Sequence, residues 1–134
     1  MGQGYHSIAA IGVVWLEVHA MSAFEEMKAK FEEIFKKASE ALPEIKGWNK
    51  VYQIVLEDDG KFYVAIKNGE LEVAEGEHPS PIATLQTNTE TMKKILNGEL
   101  DAMKAFMLRQ LKITGNVLDT MNLKRLIDAG LGKA

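Results

Sequence analysis

One stretch of the chain decides the fold: NGELDAMKAFMLRQLKITGN, residues 97–116. It opens on an Asn-Gly pair, and a glycine such as Gly98 is the favoured residue just past the end of a helix. Apolar residues at helical spacing then predict a short helix over residues 100–108. Residues 110–114 are predicted to form a strand, and a last helix follows and ends near Gly130. The C-terminal part of the sequence is therefore predicted to contain a helix, a strand and a further helix, in that order.

Three strands joined by tight turns are predicted before this stretch. Each alternates apolar and polar residues, as a strand with one buried face does; they span residues 50–57, 61–67 and 70–75. Asn68-Gly69 is a strong signal for a two-residue hairpin turn between the second and third of them. Pro79-Ser80-Pro81 interrupts the series, so we expect the chain to cross over before a fourth strand at residues 82–87.

A long amphipathic helix is predicted upstream of the strands. Ser22 and Glu25 form a capping-box pattern at its start, and Pro43 ends it by disfavouring helical geometry in the residue before. Between these ends, apolar residues recur at steps of three and four and give one apolar face: Phe24, Met27, Phe31, Ile34, Phe35, Ala38 and Leu42. A shorter helix, capped by Asn88 or Thr89, leads to the Asn-Gly pair.

This order of elements predicts an α+β domain, with a five-stranded, mostly antiparallel sheet covered on one face by helices. Residues 21–134 are predicted to form the domain and residues 1–20 an N-terminal extension, because Met21 and the capped helix look like a natural start. The extension contains an apolar run at residues 8–16 that needs cover. We expect it to pack, in its own chain or across a homodimer, on apolar residues of the other sheet face: Val51, Val55, Tyr63 and Ala65.

The composition excludes several classes of protein. A chain of 134 residues fits one domain, and the lack of cysteine excludes disulfides, thiolate metal sites and a thiol nucleophile. The net charge of −3 is unlike that of nucleic-acid-binding domains, which are usually basic, so we expect no nucleic-acid partner. Residues 89–134 nevertheless carry 8 basic and 5 acidic groups. A solvated helix face that carries lysines explains this excess, and the alternative is that it steers an anionic head group or membrane surface toward these residues.

Enzymatic signatures are absent from the sequence. It contains no phosphate loop, no dinucleotide glycine fingerprint and no His-Glu-x-x-His zinc helix. No two of His6, His19 and His78 stand at metal-ligand spacing, and the turn before a glycine explains the paired carboxylates of Asp58 and Asp59. We therefore expect no catalytic residue, no metal and no cofactor, and a protein that is not an enzyme.

The segment from Ile95 to Leu126 carries a family resemblance. Its features are Asn97-Gly98, the pair Ala105-Phe106, the run Leu111-Lys112-Ile113-Thr114-Gly115-Asn116, and a helix with Met121, Leu123 and Leu126. In these features the chain resembles the sterol carrier protein 2 (SCP-2) lipid-transfer family. The resemblance implies a sheet with helices on one side, an apolar tunnel between them, and binding of acyl chains, acyl-CoA or sterol-like lipids that are released at membranes.

One position departs from the family pattern. Family members usually have glycine two residues before the leucine of the last strand, and this sequence has Arg109 there. We expect the arginine to narrow one mouth of the tunnel or to change the charge there. Together with Lys112 it is predicted to attract an anionic head group weakly.

Eight residues are predicted to line the tunnel. They lie on the apolar faces of the strands and C-terminal helices: Ile54, Val64, Met103, Phe106, Met107, Ile113, Met121 and Leu126. Four of the seven methionines fall between Met92 and Met121, and the adaptable methionine side chain suits a surface that must fit variable apolar ligands.

The predicted function is therefore that of a lipid-binding or lipid-transfer protein. An alternative is a non-catalytic scaffold that presents quinone- or isoprenoid-type intermediates to partner enzymes, and a third is a structural homodimer without a ligand. We expect a cytoplasmic protein with transient membrane contact. No apolar run approaches the roughly 20 residues that span a bilayer. A secretory signal begins with basic residues, whereas the first lysine of this sequence is Lys28.

Overall fold

The computed structural model describes residues 23–133. It contains helix α1 (Ala23–Ala41), a 3-10 helix (Pro43–Gly47), strands β1 (Asn49–Leu56), β2 (Gly60–Lys67), β3 (Glu70–Glu75) and β4 (Ala83–Thr87), helices α2 (Thr89–Leu96) and α3 (Ala102–Met107), strand β5 (Lys112–Gly115) and helix α4 (Thr120–Gly130). The residues predicted to form an N-terminal extension, and Ser22 of the capping box, lie outside the described part of the chain.

The five strands form one sheet in the order β3-β2-β1-β4-β5. The pairs β1–β2, β2–β3 and β4–β5 are antiparallel, and β1–β4 is parallel. The sheet is therefore mixed but mostly antiparallel, which confirms the predicted α+β class. The parallel pair arises because the chain leaves edge strand β3 and crosses to the far side of β1 before β4, as the proline-containing break predicts.

The connection between β3 and β4 is held on the sheet face opposite the helices. Side chains alternate along a strand, so Gln53 points away from the face that carries Tyr52 and Ile54. Its amide nitrogen donates to the carbonyl oxygens of Phe62 and Gly76, at 3.0 and 2.9 Å, and its amide oxygen accepts from the backbone N–H of His78 at 2.8 Å. These bonds satisfy the buried Gln53 amide and fix the crossover.

The core lies between the other sheet face and the helices. The apolar face predicted for α1 is confirmed, since Met27, Phe31, Ile34 and Ala38 are buried. The ring of Phe62 on β2 makes edge-to-face contacts with Phe24 and Phe31, at centroid distances of 5.6 and 6.2 Å. All these side chains belong to one contiguous core.

Helices α1 and α4 approach each other closely at one glycine. A Cβ atom added to Gly130 would lie 2.4 Å from both the Cγ2 atom and the carbonyl oxygen of Ile34. Only a residue without a side chain permits this distance between the two helix backbones.

Some element boundaries differ from the sequence-based expectations. The helix predicted over residues 100–108 is shorter, since Asp101 caps it by accepting from the N–H of Met103 at 2.7 Å. Strand β5 starts at Lys112 rather than at residue 110, because the N–H groups of Gln110 and Leu111 bond to the carbonyl oxygen of Ala105 at the end of α3. The 3-10 helix after Pro43 was not predicted. Asn88 is the cap of α2, as expected.

Candidate functional site

An apolar cavity of about 140 Å³ lies between the sheet and the helices. Every helix from α1 to α4 contributes to its wall, and strands β1, β4 and β5 contribute one residue each. The side chains that line it are apolar except for those of Thr120 and Lys124. Such a site favours apolar ligands and offers little for polar recognition.

Five of the eight predicted residues line this cavity. Two come from the helix-facing side of the sheet and three from α3 and α4: Ile54, Ile113, Met103, Phe106 and Met121. The strand residues are brought together by register, because Ile54 pairs with Leu85 and Leu85 pairs with Ile113 across β1, β4 and β5. The contact of any of these residues with a ligand stays a prediction.

The other three predicted residues do not line the cavity. Val64 and Leu126 are each 1% exposed and belong to the packed core. Val64 pairs with Tyr52 on one side and Val73 on the other, which places it toward the β3 edge and away from β4 and β5. Met107 is 73% exposed at the end of α3, because α3 directs Ala102, Met103 and Phe106 to the cavity instead.

Several lining residues were not predicted as site residues. The buried apolar ones come from every layer of the fold: Phe31, Leu85, Met92, Ile95, Leu111, Leu123 and Ile127. Phe31 lies on the aromatic face of α1, which the sequence predicts to be core. Helical periodicity identifies a buried face but does not indicate where that face borders empty space.

The cavity opens at one end. Ile54 and Phe31, at its base, are 0% and 1% exposed, whereas Leu118, which also lines it, is 83% exposed. Four of the exposed apolar residues line the cavity, one on α3 and three just before or within the first turn of α4: Phe106, Val117, Leu118 and Met121. Met107 and Leu108 directly follow Phe106 and are exposed as well. We call these six residues the mouth patch. The opening therefore lies between α3 and the segment that precedes α4.

Hydrogen bonds to the central strand hold that segment in place. The carboxylate of Asp119 accepts from the hydroxyl of Tyr52 at 2.6 Å and from the ammonium of Lys50 at 2.8 Å. Burial raises the pKa of Asp119, but the hydrogen bonds from Lys50 and Tyr52 and the Lys50 charge outweigh it and leave that pKa below its usual value. Burial, reinforced by Asp119, holds the pKa of Tyr52 well above its usual value. Tyr52 and Asp119 thus form a hydrogen bond between a neutral phenol and an ionised carboxylate.

Lys124 is the charged residue of the cavity wall. Its ammonium lies 2.6 Å from a carboxylate oxygen of Asp128 and 3.8 Å from one of Asp101, the cap of α3. The hydrogen bond to Asp128 raises the pKa of Lys124, with smaller contributions from Asp101. The ion pairs connect α4 to the start of α3 and compensate the positive charge on the cavity wall.

Neither residue predicted to attract a head group lines the cavity. Lys112 pairs with Gln86 and therefore points to the sheet face opposite Ile113 and the cavity. Arg109 is exposed just after α3 and is not among the residues that line the cavity, and its effect on the opening stays a prediction. A head-group role for these two residues stays a prediction.

The backbone at Arg109 explains why glycine is usual there in the family that the sequence resembles. Arg109 has a φ of 62°, in the left-handed region. It follows the last residues of α3, and the bonds from Gln110 and Leu111 back to Ala105 form the turn that commonly ends a helix with glycine in this conformation. An arginine therefore carries backbone strain at this position.

Features of other functional classes are missing from the described part of the chain. Residues 23–133 hold no group of three metal-ligating side chains, and no helix among them is long and apolar enough to cross a membrane. Asp58 lies in the turn between β1 and β2, as predicted. Its carboxylate also accepts from the backbone and side chain of Thr89 at the start of α2, and these hydrogen bonds lower its pKa. His78 accepts from the N–H of Ser80 through Nδ1.

Fold and site together define a class, that of α+β domains in which a mostly antiparallel sheet and its covering helices enclose an apolar cavity. The chain belongs to the SCP-2 sterol transfer family, whose family model matches residues 31–128. This confirms the predicted family. The position of the domain boundary at residue 21 stays a prediction. No curated protein matches the chain by sequence.

Solved structures share the fold at low sequence identity. The sterol carrier protein domain 2 of Helicoverpa armigera has a TM-score of 0.62 and 24% identity, over 78% of this chain and 88% of that one. A UbiJ-SCP2 ubiquinone synthesis protein has a TM-score of 0.61 and 15% identity, over 73% and 87%. The Aedes aegypti SCP-2, in complex with palmitate, has a TM-score of 0.55 and 23% identity, over 75% and 96%. The chain covers only 14% of a Pseudomonas sec-alkylsulfatase that also matches.

Proposed function

We propose that the chain is a non-enzymatic lipid carrier that holds the apolar part of one lipid in the cavity. The candidate ligands are an acyl chain, an acyl-CoA and a sterol- or isoprenoid-like lipid. The observation that carries the proposal is an apolar cavity with a closed base and an opening on the protein surface. A ligand there needs no charged anchor, because each buried methylene contributes about 0.8 kcal/mol.

The cavity volume bears on how a long lipid fits. At about 140 Å³ it is comparable to the roughly 150 Å³ engineered cavity that binds benzene, so a long acyl chain exceeds it. A bound acyl chain must therefore widen the cavity or extend out through its opening. We expect the start of α4 to move on loading, since Met121 and Leu118 stand between the cavity and solvent. The carrier is proposed to be cytoplasmic and to exchange its lipid during transient contact with membranes.

Native mass spectrometry of the purified chain tests the proposal directly, because a retained lipid adds its own mass. Displacement of a fluorescent fatty acid by unlabelled palmitate then measures affinity; the palmitate bound to the Aedes protein makes it the first ligand to test. Failure of every lipid tested to displace the probe or be retained would contradict the proposal.

A pair of variants locates the site. Met121→Glu places a charge in the cavity wall at a residue that is 39% exposed, so the fold should survive while acyl-chain binding weakens more than tenfold. Ala41→Glu introduces the same charge at an exposed residue at the end of α1, away from the cavity lining and the mouth patch, and it should bind like the unmodified chain. Equal binding by both folded variants would place the ligand elsewhere.

The second candidate function is an accessory module that presents quinone- or isoprenoid-type intermediates to partner enzymes. The cavity volume favours it, since the enclosed space suits a single ring better than a long folded chain. A quinone that displaces the fluorescent probe at least tenfold more effectively than palmitate would support this function over fatty-acid transport. Stronger displacement of the probe by palmitate than by the quinone would support a carrier of acyl chains.

A further inference from the structure

The mouth patch concentrates the exposed apolar surface of the described chain. Among residues 23–133, every large apolar side chain that is exposed belongs to it, with exposed fractions from 37% for Phe106 to 83% for Leu118. Single exposed apolar residues scattered over a surface are normal, whereas a contiguous patch marks an interaction site. The patch joins two segments, residues 106–108 and 117–121, at the opening of one cavity.

The charges beside the patch are positive. Lys104 and Arg109, on α3 and just after it, are exposed, and neither forms an ion pair within residues 23–133. The acidic residue within the patch segments is Asp119, but its carboxylate is bound by Tyr52 and Lys50 and its side chain is only 12% exposed. The surface around the opening therefore combines exposed apolar side chains with free cations.

We infer that the mouth patch docks on an anionic phospholipid bilayer. Apolar side chains such as Met107, Leu108 and Leu118 enter the boundary between head groups and acyl chains, while Lys104 and Arg109 lie at the level of the phosphates. This inference rests on the proposed function in one respect: a lipid that leaves the cavity through this opening then passes into the bilayer without crossing water.

Charge complementarity and continuity with the cavity favour a bilayer over a second copy of the chain. Two copies joined through this patch would bring together the free cations of both and would close both openings. A bilayer instead supplies anionic groups for Lys104 and Arg109 and an apolar phase in line with the cavity.

Co-sedimentation with vesicles tests the inference with the full chain. The vesicles consist of phosphatidylcholine alone or of phosphatidylcholine with phosphatidylserine. Met107→Ser/Leu108→Ser removes apolar surface at two residues that do not line the cavity. Lys104→Gln/Arg109→Gln removes the two cations, and the matched control Lys36→Gln/Lys67→Gln removes two exposed cations elsewhere that also lack an ion pair within the described chain.

We expect the unmodified chain to partition at least tenfold more strongly onto the anionic vesicles, and high salt to remove that preference. The Met107/Leu108 variant should lose tenfold or more on both kinds of vesicle. The Lys104/Arg109 variant should lose about tenfold on the anionic vesicles only, and the Lys36/Lys67 control should change less than twofold. Partitioning of the first variant at the unmodified level would overturn the inference.

Two readouts separate this inference from the carrier function. If the chain binds no lipid in solution but the vesicle results are as expected, the carrier function is contradicted and the docking surface is supported. If the chain binds lipid and the Met107/Leu108 variant still sediments with vesicles, the docking surface fails. Sedimentation velocity tests whether a second copy of the chain covers the patch instead. If the unmodified chain is a dimer, and the Met107/Leu108 variant is a monomer that still binds vesicles as before, the patch would be assigned to a dimer interface.

Discussion

The hydroxyl of Tyr52 donates a 2.6 Å hydrogen bond to the carboxylate of Asp119 across 67 residues of sequence. Tyr52 lies fully buried in the central strand, and Asp119 stands directly before α4. The bond therefore ties the rigid middle of the sheet to the segment that carries Leu118 and Met121 at the cavity opening.

Asp119→Asn tests this attachment in acid. The pKa of Asp119 is lower in the folded chain than its unfolded value of about 3.9, so the carboxylate stabilises the fold above that unfolded value and this contribution is lost as pH falls through the folded pKa. Urea unfolding at neutral pH should show the variant less stable by about 1–3 kcal/mol, and the difference should shrink below about pH 4. Asp59→Asn, in an exposed turn, is the matched control. A difference that stays constant across this pH range would contradict the assignment.

Tyr52→Phe tests the same bond at high pH. The folded chain keeps the phenol neutral and raises its pKa, so its stabilising effect is complete below the unfolded value of about 10 and is lost as pH rises further. The variant should be less stable by about 1–2 kcal/mol at neutral pH. Between about pH 10 and 11 the unmodified chain should lose stability faster than the variant, as seen in urea unfolding curves. Parallel curves would show that Tyr52 does not stay neutral.

Gly130→Ala tests the close contact of α1 and α4. The added Cβ would lie 2.4 Å from backbone and side-chain atoms of Ile34, so the two helices must separate. We expect a loss of about 1–3 kcal/mol in the free energy of unfolding, measured by thermal and urea unfolding. Gly47→Ala is the control, since nothing lies within 4 Å of the Cβ position there. Equal stability of the two variants would mean that α4 shifts without cost.

Arg109→Gly is expected to stabilise the chain. Arg109 has a φ of 62°, which costs a residue with a Cβ roughly 1–2 kcal/mol relative to glycine. Part of that gain is offset by the greater freedom of glycine in the unfolded chain, so the free energy of unfolding should rise by about 1 kcal/mol. Asn68→Gly changes a residue with a φ of 54°, but asparagine tolerates this conformation, so its effect should be smaller. A loss of stability in Arg109→Gly would show that the arginine side chain compensates for the strain.

The sequence predicts most of the fold because its signals are local. The hairpin turn at Asn68 and the cap at Asn88 both occur where expected, since each depends on a few neighbouring residues. The cavity is predictable only in part. Periodicity places Ile54 and Val64 alike on the buried face, but only strand order shows that Ile54 lies beside β4 and the cavity while Val64 lies toward β3. The Tyr52–Asp119 bond joins residues 67 positions apart, and no local pattern indicates it.

Deletion of residues 1–20 tests the expectation for the N-terminal segment. The sheet face opposite the helices carries the apolar residues Val51, Val55, Tyr63 and Ala65, and Val51 pairs directly with Ala65. Part of this face already has a partner, since the ring of Tyr63 contacts that of His78 at 5.2 Å. If the apolar run at residues 8–16 covers the rest, in the same chain or across a dimer, its removal exposes this surface to water.

The truncated chain should then bind lipid like the full chain, because the cavity lies on the other side of the sheet. It should also be less soluble or change its oligomeric state, since uncovered apolar surface promotes association. Fluorescent-lipid displacement, sedimentation velocity and thermal unfolding measure the three properties on the same samples. Val55→Ser within the full chain is a control that leaves the segment in place and alters the surface it is expected to contact. A truncated chain with unchanged mass in solution and unchanged thermal stability would show that residues 1–20 pack on nothing that stabilises the domain.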